Sequence, residues 1–194
     1  MIDEAPLEDV GSGLAPVGDG WFVVNATEAA WVRNEAFSAR ASFESSPRAL
    51  AGRPDLEPRR FAEIGITLAV LEPGRPSGLY HAESAQEDFL VLDGECLVVI
   101  EEQERRLRAW DFVHCPAGAR HCFVGAGDGP CSLLMIGARP DGRTIRYPDS
   151  VPARRHGAGV DEETADPGTA YAPYPGWQVS RPDGWERLPW AQPH

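Results

Sequence analysis

Between Phe61 and Gly137 short apolar runs alternate with turn-forming residues: Glu63–Leu71, Leu79–Glu83, Phe89–Leu92, Glu95–Ile100, Arg105–Leu107, Asp111–Cys115, His121–Val124 and Cys131–Ile136. Pro73-Gly74-Arg75-Pro76, Asp93-Gly94, Glu102-Gln103, Pro116-Ala117-Gly118 and the segment 125–130 punctuate them. Each run is too short for a helix, and the spacing predicts an all-β sandwich or barrel. Two runs are apolar in both phases: Leu90 and Leu92 oppose Phe89 and Val91, and Leu97 and Val99 oppose Cys96, Val98 and Ile100. A strand wet on one face alternates with polar residues, so the outside of these strands must be covered. A two-fold partner is the simplest cover, and a homodimer is expected.

This middle segment holds 23 of the chain's 41 Leu, Ile, Val and Phe residues. The flanks are too poor in apolar residues to fold alone, since disorder sets in below roughly 20% of these types at high net charge. The expected division is a loose acidic segment 1–20, a flank 21–60, a barrel 61–137 and an extension 138–194. In the flank, Trp21–Val24 is expected as a strand, and Asn25 and Thr27 are placed to cap a short helix over Glu28–Val32. The extension carries nine of 18 prolines and three of six tryptophans. Exposed tryptophans in such number would make an unusual surface, so the extension is expected to pack on the barrel or on a partner.

The net charge of −12 opposes binding to a phosphate backbone or an anionic bilayer. All 18 basic residues are arginine, which excludes lysine Schiff-base chemistry. Cys96, Cys115, Cys122 and Cys131 form no Cys-x-x-Cys pair. The acidic beginning and the short apolar runs argue against a signal peptide or a membrane span, so a cytoplasmic protein is expected.

The chemistry-bearing residues lie in two stretches, His81-Ala-Glu83-Ser-Ala-Gln-Glu87 and Pro116-Ala-Gly118-Ala-Arg-His121. Residues i and i+2 of a strand share a face, so His81 and Glu83 project together. Glu87 arrives on the next strand, in phase with Phe89 and Val91, and His121 on a separate one. Two imidazoles and two carboxylates meeting inside a barrel would suit a divalent metal.

At these residues the chain resembles the cupin superfamily. His81, Glu87 and Gly94 fall on the spacing of its first motif, with Glu83 where a second histidine would stand and Gly74 one residue early for the opening glycine. Pro116, Gly118 and His121 fall on the second, with Trp110 and Gly125 replacing its Gly and Asn. The resemblance covers about residues 61–137 and implies a double-stranded β-helix, a jelly-roll barrel with metal ligands inside. It implies little about the reaction, because fold does not fix function.

The expected ligands to one divalent ion, zinc, iron or manganese, are His81, Glu83, Glu87 and His121. Glu83 departs from the family pattern; it could instead hydrogen-bond a ligand or face solvent. Phe89 and Phe123 would wall the site, Tyr80 and Cys122 would face away, and His114 reads as structural. Arg75, Arg120 and Arg143 could line a mouth and bind an anion, and His156 and His194 lie in the flanks as solvated residues. The functional expectation is a metal-binding protein that holds a small organic molecule, with an oxygen-dependent or isomerising reaction if it is an enzyme. The alternatives are a non-catalytic metabolite sensor and a structural dimer with a vestigial site.

Overall fold

A computed structural model describes residues 1–191; His194 therefore lies outside the described residues. The strands are β1 (Leu7–Asp9), β2 (Leu14–Pro16), β3 (Trp31–Arg33), β4 (Ala39–Ser42), β5 (Ile64–Leu71), β6 (His81–Glu83), β7 (Glu87–Asp93), β8 (Glu95–Ile100), β9 (Gln103–Arg108), β10 (Phe112–Cys115), β11 (Arg120–Gly125), β12 (Cys131–Ala138), β13 (Ile145–Arg146) and β14 (Gln178–Val179). Two short helices, α1 (Val151–Arg155) and α2 (Pro167–Tyr171), follow β13. All eight apolar runs of the middle segment are strands.

Twelve of the strands form a seven-stranded sheet, β10-β7-β12-β5-β4-β3-β14, and a five-stranded sheet, β13-β6-β11-β8-β9. The two sheets face each other as a double-stranded β-helix. Alternate residues from both fill the interior: Ala69 and Leu71, Phe89 and Val91, Cys96 and Val98, Phe123, Cys131 and Leu133. At Gly94 the β7–β8 turn needs a left-handed residue, and a side chain there would strike the Pro130 carbonyl.

The outer faces are covered in part by the chain itself. Leu68, Val70 and Leu92 pack outward against Trp31, Ala39, Ala41 and Leu188, with Trp185 and Trp190 closing over Trp31. On the other sheet Val99, Cys122 and Leu97 pack beneath Ala153 of α1 and Ala158. Leu92, Leu97 and Val99 thus find cover within one chain, whereas Leu90 stands opposite Phe112, which is 64% exposed, so this part of the outer face stays open.

The flanks differ from expectation in three places. Segment 1–20 is not loose: β1 and β2 form a hairpin whose Val10 and Ala15 pack on Ala30, Val32, Ala49 and Leu50. Trp21–Val24 is no strand; Trp21 makes a single bridge to Glu4, and Trp21 and Val23 are exposed. The helix over Glu28–Val32 is absent because Asn25 closes a local turn instead. Its Oδ1 accepts from the Thr27 amide at 2.9 Å and the Thr27 hydroxyl at 2.8 Å. The chain then runs straight into β3, where fully buried Trp31 outweighs any capping preference. No helix among the described residues is long and apolar enough to cross a membrane.

Candidate metal centre

β6 and β11 are antiparallel neighbours, and their register sets His121 directly opposite His81. The two rings lie 4.8 Å apart between centroids. Glu87, the first residue of β7, reaches them from the facing sheet. Its Oε2 is 3.7 Å from His81 Nε2 and 3.4 Å from His121 Nε2. One ligand atom from each of the three lies within 4.8 Å of the others, so the group could hold a metal ion.

Each imidazole is oriented by the backbone two residues upstream. His81 Nδ1 donates to the Leu79 carbonyl at 2.7 Å, and His121 Nδ1 donates to the Ala119 carbonyl at 3.1 Å. A carbonyl can only accept, so the proton of each neutral ring sits on Nδ1. Both Nε2 lone pairs then face the Glu87 carboxylate, acceptor against acceptor. His121 Nε2 is buried with no hydrogen-bond partner. Such a constellation is satisfied by a cation, either a proton or a metal ion.

The electrostatics agree. Burial, helped by the charge of His81, pushes His121 down to about 4, so this ring resists protonation. Burial alone would also lower His81, but attraction to Glu87 outweighs it and His81 is raised. Burial would raise Glu87, and His81 and His121 overcome it, so Glu87 is lowered. Within the cluster, His81 is thus the more basic of the two rings.

Glu83 does not join the group. It shares a face with His81, but Arg143, from the connection between β12 and β13, binds its carboxylate. The cluster thus holds three of the four expected ligands, and the Arg143 guanidinium balances the charge of Glu83. Burial, followed by the charge of Glu87, raises Glu83, which the Arg143 contact opposes.

Phe89 packs 5.1 Å from His121 and 4.5 Å from Phe123, forming the expected apolar wall. Tyr80 and Cys122 turn away into the layer beneath α1. His114 pairs with Asp88, Arg120 with Glu101, and His156 with Glu104, all on the surface. Arg75 is exposed. Tyr147, 6.1 Å from His81, comes from the extension and was not foreseen. No periodicity or motif marks it, since it belongs to an irregular segment.

Residues 67–137, which contain all three members of the cluster, match the model of the cupin domain family. No functionally curated protein matches the chain. Among solved structures, a sugar phosphate isomerase from a cupin superfamily of Silicibacter pomeroyi is 30% identical over 57% of this chain and 66% of that one, with a TM-score of 0.45. A candidate sugar phosphate isomerase from Acidithiobacillus ferrooxidans is 28% identical over 55% and 64%, with a TM-score of 0.43. The chain spans just under two thirds of the length of these two proteins. The polyketide cyclase RemF from Streptomyces resistomycificus is 16% identical over 60% and 78%, with a TM-score of 0.47. With both motifs in order on the two facing sheets, residues 67–137 match the cupin domain, and the protein is cupin-like.

Proposed function

We propose that the protein binds one divalent first-row metal ion through His81, Glu87 and His121 and uses it to hold a small organic molecule in the barrel. The observation that carries this reading is the convergence of two imidazole lone pairs and a carboxylate on one point, with His121 Nε2 buried and unpartnered. Two histidines and one carboxylate leave a divalent ion a net charge of +1 and coordination positions open. A metal there supplies Lewis acidity toward a bound oxygen atom, or redox chemistry if it is iron. The donor set suits iron, manganese and zinc alike.

The chain's own residues fix the ligands and shape the space. The Leu79 and Ala119 carbonyls hold the tautomers, Phe89 and Phe123 keep water from one side, and the Arg143–Glu83 pair sets a polar edge nearby. If the protein is an enzyme, an isomerising or oxygen-dependent reaction on a small acid, sugar or phenolic compound fits this arrangement. Elemental analysis of the purified protein, followed by chelation and add-back of single metals, is the test. About one ion per chain is expected, lost in the His81→Ala/His121→Ala double variant. Full occupancy in that variant would overturn the assignment.

A further inference from the structure

Eleven of the 18 arginines form ion pairs. Of those that do not, Arg40 alone among the described residues is half-buried, the others being exposed. Its Nε donates to Ser38 Oγ at 3.3 Å and its Nη2 to the Ser77 carbonyl, leaving Nη1 without a partner. A charge taken out of water is ordinarily matched by a counter-charge. Here the neighbour is a second cation. Arg40 and Arg48 both lie over the Trp177 ring, at 5.2 and 5.0 Å from its centre. The ring attracts each guanidinium, but the two like charges gathered on it, in a chain with 30 acidic residues, have no carboxylate within ion-pair distance, the Glu87 charge acting on Arg40 from farther off.

The pair lies on the side of the barrel that leads to the metal centre. Arg40 is opposite Ala69 on β5, whose side chain belongs to the barrel interior, so it shares the inward face of the sheet that carries Glu87. Gly78 lets the parts converge: a side chain there would come within 3.2 Å of Arg40 Nη2 and 3.0 Å of the Tyr171 hydroxyl. That hydroxyl accepts from the Leu79 amide at 3.1 Å. Tyr171 packs edge-on against Tyr147 at 5.7 Å, and Tyr147 reaches His81. A row of aromatic and polar groups thus runs from the histidines to the two arginines.

We propose that Arg40 and Arg48, arrayed on Trp177, form an oxyanion subsite that takes the carboxylate or phosphate group of the small molecule whose other end meets His81, Glu87 and His121. This names the substrate class as anionic, and it rests on the functional reading given above. A planar guanidinium suits both oxyanions.

The test measures binding of inorganic phosphate and of acetate, at constant ionic strength, to the full chain by titration calorimetry. Wild type, Arg48→Gln, Arg40→Met and the His81→Ala/His121→Ala double variant are compared. Saturable binding to wild type is expected, weakened about tenfold in Arg48→Gln and at least as much in Arg40→Met, since hydrogen bonds to charged groups carry such factors. The double histidine variant should bind the anion as wild type does, and the tighter of the two anions identifies the class. Because Arg40 also holds the Ser77 carbonyl, the exposed Arg48 provides the variant that keeps its fold. Absence of saturable binding to wild type, or wild-type affinity in a folded Arg48→Gln, overturns the subsite. Anion binding lost only in the histidine variant also overturns it, by placing the anion at the cluster. If wild type takes up no metal while Arg48→Gln still loses the anion, the subsite stands and the metal reading falls.

Discussion

His81 and His121 face each other across antiparallel β6 and β11, and each is locked in the same tautomer by the carbonyl two residues before it. This local device, repeated on two strands, aims both Nε2 atoms at a carboxylate delivered by the opposite sheet. Losing a member of the set therefore has a different outcome from losing a neighbour of it. Glu87→Gln is expected to lower metal affinity at least tenfold, by removing the anionic donor. Glu83→Gln should leave the stoichiometry unchanged, because Arg143 already occupies that carboxylate. Metal titrations of the two variants side by side check this; equal losses would place Glu83 among the ligands.

Trp110 offers a stability prediction. It stands where the cupin motif has glycine, and its backbone keeps the glycine conformation, with φ of 75°. The side chain is 74% exposed and recovers little by packing. A left-handed non-glycine residue costs about 1–2 kcal/mol, and the freer unfolded chain of a glycine gives back roughly half of that. Trp110→Gly should therefore stabilise the protein by about 1 kcal/mol and raise the Tm by about 2–4 °C. A lower melting temperature would show that Trp110 packs against something in solution.

Leu188 makes the opposite case. It lies in the irregular extension, yet it is fully buried against Trp31, Leu68 and Val70. Leu188→Ala should cost about 3 kcal/mol by losing transfer energy and leaving a cavity. The melting temperature should fall by roughly 6–12 °C, with metal content per folded chain unchanged. A silent Leu188→Ala would mean the extension contributes no packing to the outer face.

The four cysteines are free and buried. Burial pushes the Cys115 and Cys122 thiols up to about 12. Thiolate, the reactive form, is then vanishingly scarce at pH 8. A thiol reagent added to the native protein at pH 8 should label neither residue, whereas all four cysteines should react once it is unfolded. Fast native labelling of Cys115 or Cys122 would contradict the packing around β10 and β11.

The barrel was legible because its strands are short, regular and separated by strong turn residues. His81, Glu87 and His121 were legible because strand phase and motif spacing place them on inward faces. The contact of Glu83 with Arg143 was not, since Arg143 lies 60 positions away in a connection with no periodic signal. The same holds for β3, β4 and β14, short strands that pair only because an existing sheet edge accepts them. Asn25 misled for a related reason: a side chain that can cap a helix can equally close a turn, and buried Trp31 decided between them.

Because part of the outer face of the large sheet is sealed by Leu188 and the tryptophans around it, order of synthesis matters. β12 is complete at Ala138, and Leu188 follows some fifty residues later. At roughly 5–20 residues per second, the sheet would wait for several seconds with Leu68, Val70 and Trp31 uncovered. During that interval the nascent chain displays an adhesive apolar surface that the finished protein never shows. Chaperone dependence and a tendency to aggregate on interrupted translation would follow from the position of one leucine.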